Sequence, residues 1–225
     1  MPDGSQPLSI QGLSIRRGPE VLIGYPDFTL PAGADLAVTG SSGLGKTTLL
    51  YLLAGLLLPT GGAVRYGEQT ISALSEAGRD AFRRQHVGFL FQEFHLMSGL
   101  TALENVELGL RVAGMPGSRQ RAAEALQAVG LGDRLGHRPE QLSTGQKQRV
   151  AVARATAHRP GLILADEPTA HLDPARSIET MAALRDLAAS LGATLITVTH
   201  DPKISAQFSQ VLDLSAATVP AGVPA

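Results

Sequence analysis

The chain has 225 residues, 44% of them apolar, and 19 Lys and Arg against 20 Asp and Glu leave a net charge of −1. That is enough chain for one large globular unit, or for one unit carrying an inserted subdomain, around a substantial core. The balanced charge gives no global attraction to nucleic acid, and zero cysteines exclude disulfides and thiolate metal sites. The six histidines are scattered without the spacing of metal ligands, so zinc is not expected.

In chain order, the first ten residues lack a basic stretch followed by an apolar one, so no secretory signal is read and an intracellular protein is expected. Residues 8–39 alternate short apolar runs (8–10, 13–15, 21–23, 28–30, 36–38) with Gly and Pro punctuation. This pattern predicts strands joined by turns, an antiparallel layer that begins the domain. Next comes Gly40-Ser41-Ser42-Gly43-Leu44-Gly45-Lys46-Thr47, between an apolar strand and a leucine-rich helix. Its glycines let the backbone fold into a nest of inward N–H groups, and the helix adds the positive end of its dipole, so the expected guest is a polyphosphate. Lys46 would reach the outer phosphates and the Thr47 hydroxyl would be a ligand of Mg²⁺, while Thr48, counted with the loop, packs or caps. The apolar run 49–58 is about half the ~20 residues a bilayer span needs, so the chain is not expected to enter a membrane by itself.

A turn at 59–62, a strand at 63–66 and a polar helix at 76–85 follow. Residues 87–91 are continuously apolar without helical period, the pattern of a strand buried on both faces, and the run ends on Gln92. From 101 to 129 the period turns helical: Leu103, Val106 and Leu110, then Ala122, Leu126 and Val129 after a break at 114–117, with Ser118 as N-cap. This predicts an inserted helical subdomain over about 93–145, flanked by a core of about 5–92 and 146–214. A helix at 146–157, a buried strand at 162–165 ending in Asp166-Glu167, a helix at 174–191 and a strand at 194–199 ending on His200 complete the core. Strands alternating with helices imply a parallel sheet with ligands beyond its C-terminal strand ends, where Gln92, Asp166, Glu167 and His200 all fall. The Ala/Pro/Val-rich stretch 215–225 is expected to be a disordered tail.

Adjacent strand-end carboxylates divide two tasks: Asp166 holds Mg²⁺, directly or through water, while Glu167 polarises the attacking water. Alone, they would also suit a helix cap before Pro168. Leu142-Ser143-Thr144-Gly145-Gln146 offers a second anion site, a hydroxyl and an exposed amide at a helix start. This segment resembles the signature of ABC-type ATPases, usually Leu-Ser-Gly-Gly-Gln, and the resemblance extends over residues 8 to about 214. Gly40–Thr47 resembles Walker A, Gln92 the Q-loop glutamine, 162–167 Walker B, Leu172-Asp173 the D-loop and His200 the switch histidine.

The resemblance implies an α/β fold, a RecA-like P-loop NTPase core with an N-terminal antiparallel β-layer and the helical insertion. It also implies an ATPase using ATP and Mg²⁺, the ion held by Thr47, Asp166 and Gln92, with Glu167 as general base and His200 steadying the γ-phosphate. Two subunits would pair head to tail, placing Ser143, Gly145 and Gln146 of one on the nucleotide held by Walker A of the other, with Asp173 communicating across the interface. Three departures stand out. Thr144 replaces the first signature glycine. The D-loop reads Ala170-His171-Leu172-Asp173, where Ser or Gly is common at its first position. Arg17 lies where the family has an adenine-stacking aromatic, and its guanidinium is expected to serve as that platform.

Within the family, Val87–Phe94 and Leu100–Val106 are similar to the lipoprotein-releasing, macrolide-export and cell-division ATPases. Such a subunit would sit peripherally on the cytoplasmic face of the membrane and power a separate integral membrane permease, without touching the cargo or nucleic acid. A groove around Gln92 and residues 93–110 would receive the permease's cytoplasmic helix. A cell-division ATPase that regulates cell-wall enzymes through a membrane partner is the alternative. DNA-repair relatives carry a long coiled coil between Gln92 and the signature, and ribosome-associated ones two ATPase units; this chain has neither.

Overall fold

The computed structural model describes residues 4–18, 21–170 and 172–216. Among these residues, two sheets and seven α-helices arise in the order β1 (Leu8–Arg17), β2 (Val21–Gly24), β3 (Phe28–Leu30), β4 (Asp35–Thr39), α1 (Lys46–Leu53), β5 (Gly61–Tyr66), β6 (Gln69–Thr70), α2 (Glu76–His86) and β7 (Val87–Leu90). Then follow α3 (Ala102–Val112), α4 (Ser118–Ala128), α5 (Thr144–Thr156), β8 (Leu162–Asp166), α6 (Pro174–Leu191), β9 (Thr194–Val198), α7 (Pro202–Ser205) and β10 (Gln210–Asp213).

The antiparallel sheet runs β2-β1-β5-β6, with β3 also on β1. The apolar runs 8–10 and 13–15 are one strand, because β1 bulges between Gln11 and Ser14, with Gly12 at φ 54° and its N–H given to Asp27 Oδ1 at 2.7 Å. The second sheet, β10-β4-β9-β8-β7, is parallel throughout. Its strands read as unbroken apolar runs because both faces are covered and side chains alternate between them. Leu162, Leu164, Ile196 and Val198 pack with the leucines of α1 and the antiparallel sheet, whereas Ile163, Ala165 and Leu195 face α5, α6 and α7.

A third cluster joins α3 and α4 to α5 through Leu103, Val106, Leu110, Leu126, Val150 and Ala153. Since Ala151, Val152 and Ala155 of the same helix belong to the cluster under the parallel sheet, α5 is packed on two sides. Three expectations are corrected. Gly117, in the left-handed region at φ 64°, is the N-cap of α4, and Ser118 is its first helical residue. The signature helix starts at Thr144, two residues early, because Ser143 caps it. The chain does not lose order at Ser215: Leu214 to Ala216 form a 3-10 turn, and the Ser215 N–H is donated to Asp213 Oδ1 at 2.8 Å. Residues 217–225 lie outside the described residues.

Candidate nucleotide site

In the parallel sheet β4, β9, β8 and β7 are consecutive neighbours, so their C-terminal ends deliver the Gly40–Thr47 loop, His200, Asp166-Glu167 and Gln92 to one edge. The loop bends through Gly40, Gly43 and Gly45 at φ 131°, 85° and 85°, a region side chains rarely adopt. A Cβ on Gly45 would come within 2.8 Å of Tyr25 Oη, whose hydroxyl donates to Gly45 O at 3.0 Å and so braces the loop from below. Ser41, Ser42 and Gly43 face solvent, Leu44 packs against the core, and Thr47 and Thr48 are half-buried in the first turn of α1. Lys46 is buried and turns its ammonium back onto the loop, donating to Gly40 O at 2.8 Å and Ser41 O at 2.9 Å.

Asp166 closes β8 beneath the loop. Burial raises its pKa above the ordinary carboxylate value, opposed by a hydrogen bond from Thr47, reinforced by the charge of Glu167 and opposed more weakly by Lys46. A desolvated carboxylate bonded to the Thr47 hydroxyl is short of positive charge. Among the described residues no three His, Asp or Glu are placed to hold a metal ion by themselves. The donor set therefore fits an ion completed by phosphate and water oxygens, which is the preference of Mg²⁺.

Glu167 stands at φ 43°, strained for a residue with a long side chain, and is held there by its N–H to Val198 O at 3.0 Å and by Ala170 N–H to its own carbonyl at 3.1 Å. The turn aims its carboxylate at His200: Glu167 Oε2 and His200 Nδ1 are 2.9 Å apart, with the ring exposed to solvent. Gln92 is exposed, two residues beyond β7.

Ser143, Gly145 and Asp173 are not brought to this edge. They line a second cleft of about 650 Å³, together with Gln148, Leu172 and Arg176, and no residue of the 40–47 loop lines it. Ser143 and Gln146 form a reciprocal cap: Ser143 Oγ accepts from Gln146 N at 3.3 Å, and Gln146 Oε1 accepts from Ser143 N at 2.9 Å. Asp173 caps α6 by accepting from Arg176 N at 3.1 Å, and its carboxylate also meets the Arg176 guanidinium at 3.4 Å. His171 and the Arg17 side chain, with its expected adenine contact, lie outside the described residues.

Sequence reasoning missed three organising side chains. Tyr25 braces the loop. Gln148, buried, donates to Pro168 O at 2.5 Å and ties α5 to the segment after Glu167. Arg154 donates to Phe94 O at 2.7 Å and His95 O at 2.6 Å, holding the chain beyond Gln92. An arginine amid Val150, Val152, Ala153 and Ala155 was the one available signal, since a cation on so apolar a helix needs a fixed acceptor.

The ABC transporter family model matches residues 25–170. The lipoprotein-releasing system ATP-binding protein LolD of Pseudomonas syringae pv. tomato is 42% identical over 209 residues, covering 90% of this chain and 91% of that protein. The macrolide export ATP-binding/permease protein MacB of Rhodopseudomonas palustris is 45% identical over 190 residues, and the match spans 84% of this chain but only 29% of that longer protein. Among solved structures, a dimeric post-hydrolysis state of the ATP-binding cassette MJ0796 bound to ADP and Pi superposes with a TM-score of 0.80 at 35% identity, covering 92% of this chain and 95% of that one.

Proposed function

This chain belongs to the ABC transporter family as an ATP-binding, ATP-hydrolysing subunit, and we propose that two copies close head to tail on ATP and Mg²⁺ to drive a separate membrane permease of the export or lipoprotein-release type. The observation that carries this reading is the separation of anion-binding groups within one chain, the Gly40–Thr47 loop at one edge of the parallel sheet and Ser143, Gly145 and Asp173 in a cleft that no residue of the loop lines. A second copy, turned head to tail, sets the signature of one on the loop of the other.

Within this site, Lys46 exchanges the carbonyls of Gly40 and Ser41 for the β and γ phosphates. The loop amides hold the same oxygens. Thr47, Asp166 and Gln92 would hold Mg²⁺, which would supply positive charge to neutralise the phosphate oxygens. Glu167 accepts the proton of the attacking water, and His200 orients that carboxylate through Nδ1 while its other face meets the γ-phosphate. From the opposite subunit, Ser143 donates its hydroxyl and Gly145 its amide; Gln146 keeps that turn in shape, and Thr144 projects beside them. Asp173 with Arg176 carries the contact across the interface. Arg17 stacks on the adenine, which Arg17→Ala tests through a fall in ATP affinity.

Residues 93–145 act as the helical subdomain on a core of 5–92 and 146–214. No helix among the described residues is long and apolar enough to cross a membrane. The chain works at the cytoplasmic face, held by its permease through a groove of about 590 Å³ beside the Gln92 segment. The test is Glu167→Gln in size-exclusion light scattering. With ATP and Mg²⁺ the mass doubles, turnover falls by at least about 100-fold, and adding Ser143→Arg restores the monomer. A species that stays monomeric at saturating ATP overturns the head-to-tail site.

A further inference from the structure

Lys46 has to serve two sets of acceptors. Here its ammonium holds Gly40 O at 2.8 Å and Ser41 O at 2.9 Å, and those bonds help to keep the loop bent. Once the ammonium turns to phosphate, both carbonyls lose that donor while the loop must keep its shape. Groups that do not touch the ligand then have to fix the bend. Two such braces flank the loop, one at each end.

At the C-terminal end stands Tyr25, 5% exposed, whose hydroxyl donates to Gly45 O at 3.0 Å. The same carbonyl accepts the first bond of α1, from Leu49 N at 2.8 Å. Tyr25 is itself anchored, since it directly follows β2 and gives its N–H to Leu13 O of β1 at 2.9 Å. Gly45 is the N-cap of α1 and has no side chain with which to cap it. In a planar trans peptide the C=O and the next N–H point in opposite directions. Two donors on Gly45 O therefore aim the Lys46 N–H away from the helix, into the nest. Ile23 of β2 closes the space beside this peptide, its Cγ2 3.2 Å from where a Cβ on Gly45 would stand.

At the N-terminal end the crowding is on Gly40. A Cβ there would lie 3.2 Å from Leu44 Cδ1, 3.4 Å from Ser215 N and 3.5 Å from Leu214 Cβ. Leu214 is 1% exposed, and Leu44 packs against the same core cluster. Because β10 pairs with β4 as far as Asp213 opposite Thr39, the 3-10 turn Leu214–Ala216 is delivered beside Gly40.

We propose that Tyr25 and Leu214 are positioning residues for the nucleotide, holding the loop in its phosphate-ready bend independently of Lys46. Tyr25 does so by aiming the Lys46 amide, and Leu214 by fixing Gly40 against Leu44. The proposal rests on the reading of Gly40–Thr47 as the phosphate loop. A loop already bent needs no further ordering when the ligand arrives. The Lys46 amide faces phosphate in the ground state and the transition state alike, so losing its aim weakens binding and spares the chemical step.

The experiment is calorimetric titration of the full chain with ADP and Mg²⁺, which requires neither hydrolysis nor ATP-driven pairing, beside steady-state ATP turnover. Tyr25→Phe keeps the ring, raises the Kd for ADP about 5- to 20-fold and the KM for ATP by a similar factor, and holds kcat within about twofold. Leu214→Ala raises the Kd at least about threefold with the same split. Tyr66→Phe is the control, because it removes another buried tyrosine hydroxyl, one that accepts from Gln6 N at 3.2 Å beside Gly161, before β8 begins. Its Kd and KM stay within about twofold of the parent chain. Unchanged ADP affinity in Tyr25→Phe, a fall in kcat at constant KM, or an equal loss in Tyr66→Phe overturns the role of Tyr25. Unchanged affinity in Leu214→Ala overturns the brace on Gly40. A parent chain that binds no ADP, or a Lys46→Ala chain that binds it as tightly as the parent, overturns the phosphate loop itself, and both braces fall with it.

Discussion

Glu167 and Asp166 are adjacent in sequence and opposite in physical situation. Glu167 occupies a left-handed backbone position and reaches a solvent-exposed histidine, so its strain is spent on aim. Asp166 is buried at the strand end, and its strain is electrostatic. Because its pKa in the folded chain lies above the unfolded value of 3.8, the folded state binds that proton more tightly. The ionised form therefore costs stability, fully above the folded pKa, and the cost disappears as pH falls through that pKa toward 3.8. Asp166→Asn removes the cost: its melting temperature at pH 7 exceeds that of the parent chain. The gap closes in thermal scans taken at progressively lower pH. Added ATP and Mg²⁺ reverse the order at pH 7, since only the carboxylate gains from the ion.

At the scale of elements, α5 shows most clearly what sequence carries and what it hides. Its start was readable only to within two residues: the sequence placed it at Gln146, and the reciprocal cap of Ser143 and Gln146, a pattern confined to four residues, sets it at Thr144. The strands β7, β8 and β9 and the helix α6 were readable for the same local reason: apolar runs end at charged or polar residues, and Asp173-Pro174 opens α6 while Gly192 closes it. The bonds from Gln148 to Pro168 and from Arg154 to Phe94 and His95 were not readable, since their partners lie 20 and about 60 residues away and are carbonyls, which every residue has. Strand β10 was passed over too: four residues with exposed flanks make no distinct pattern, and only pairing with β4 defines them. Gln148→Ala leaves Pro168 O without its buried donor and lowers stability by about 1–2 kcal/mol in urea unfolding, with a fall in kcat at unchanged ATP affinity. Gly88→Ala is harsher. Its Cβ would stand 2.3 Å from Ala155 O and 2.9 Å from Pro160 Cγ, so β7 and α5 must separate, at a cost of about 2–3 kcal/mol by the same measurement.

On the proposed head-to-tail pairing, the whole molecule is a half-site twice over. Turnover per chain must rise with protein concentration until copies are paired, and an equimolar mixture of Lys46→Ala and Ser143→Arg chains must recover activity that neither has alone, through the one composite site holding both intact halves. Steady-state phosphate release against dilution reads the first, and mixing at fixed total chain the second. Within each copy, α5 begins at the signature cap and is gripped at Arg154 by the carbonyls of Phe94 and His95, beside the groove next to the Gln92 segment. Eleven residues separate Ser143 from Arg154, a lever arm of ~16 Å at 1.5 Å per residue. A 10° swing about Arg154 thus carries Ser143 by ~3 Å, the difference between a hydrogen bond and none. In the proposed head-to-tail pair, mechanical advantage fixed by the length of one helix would turn a slight lean at the membrane side into the making or breaking of a phosphate contact in the neighbouring subunit.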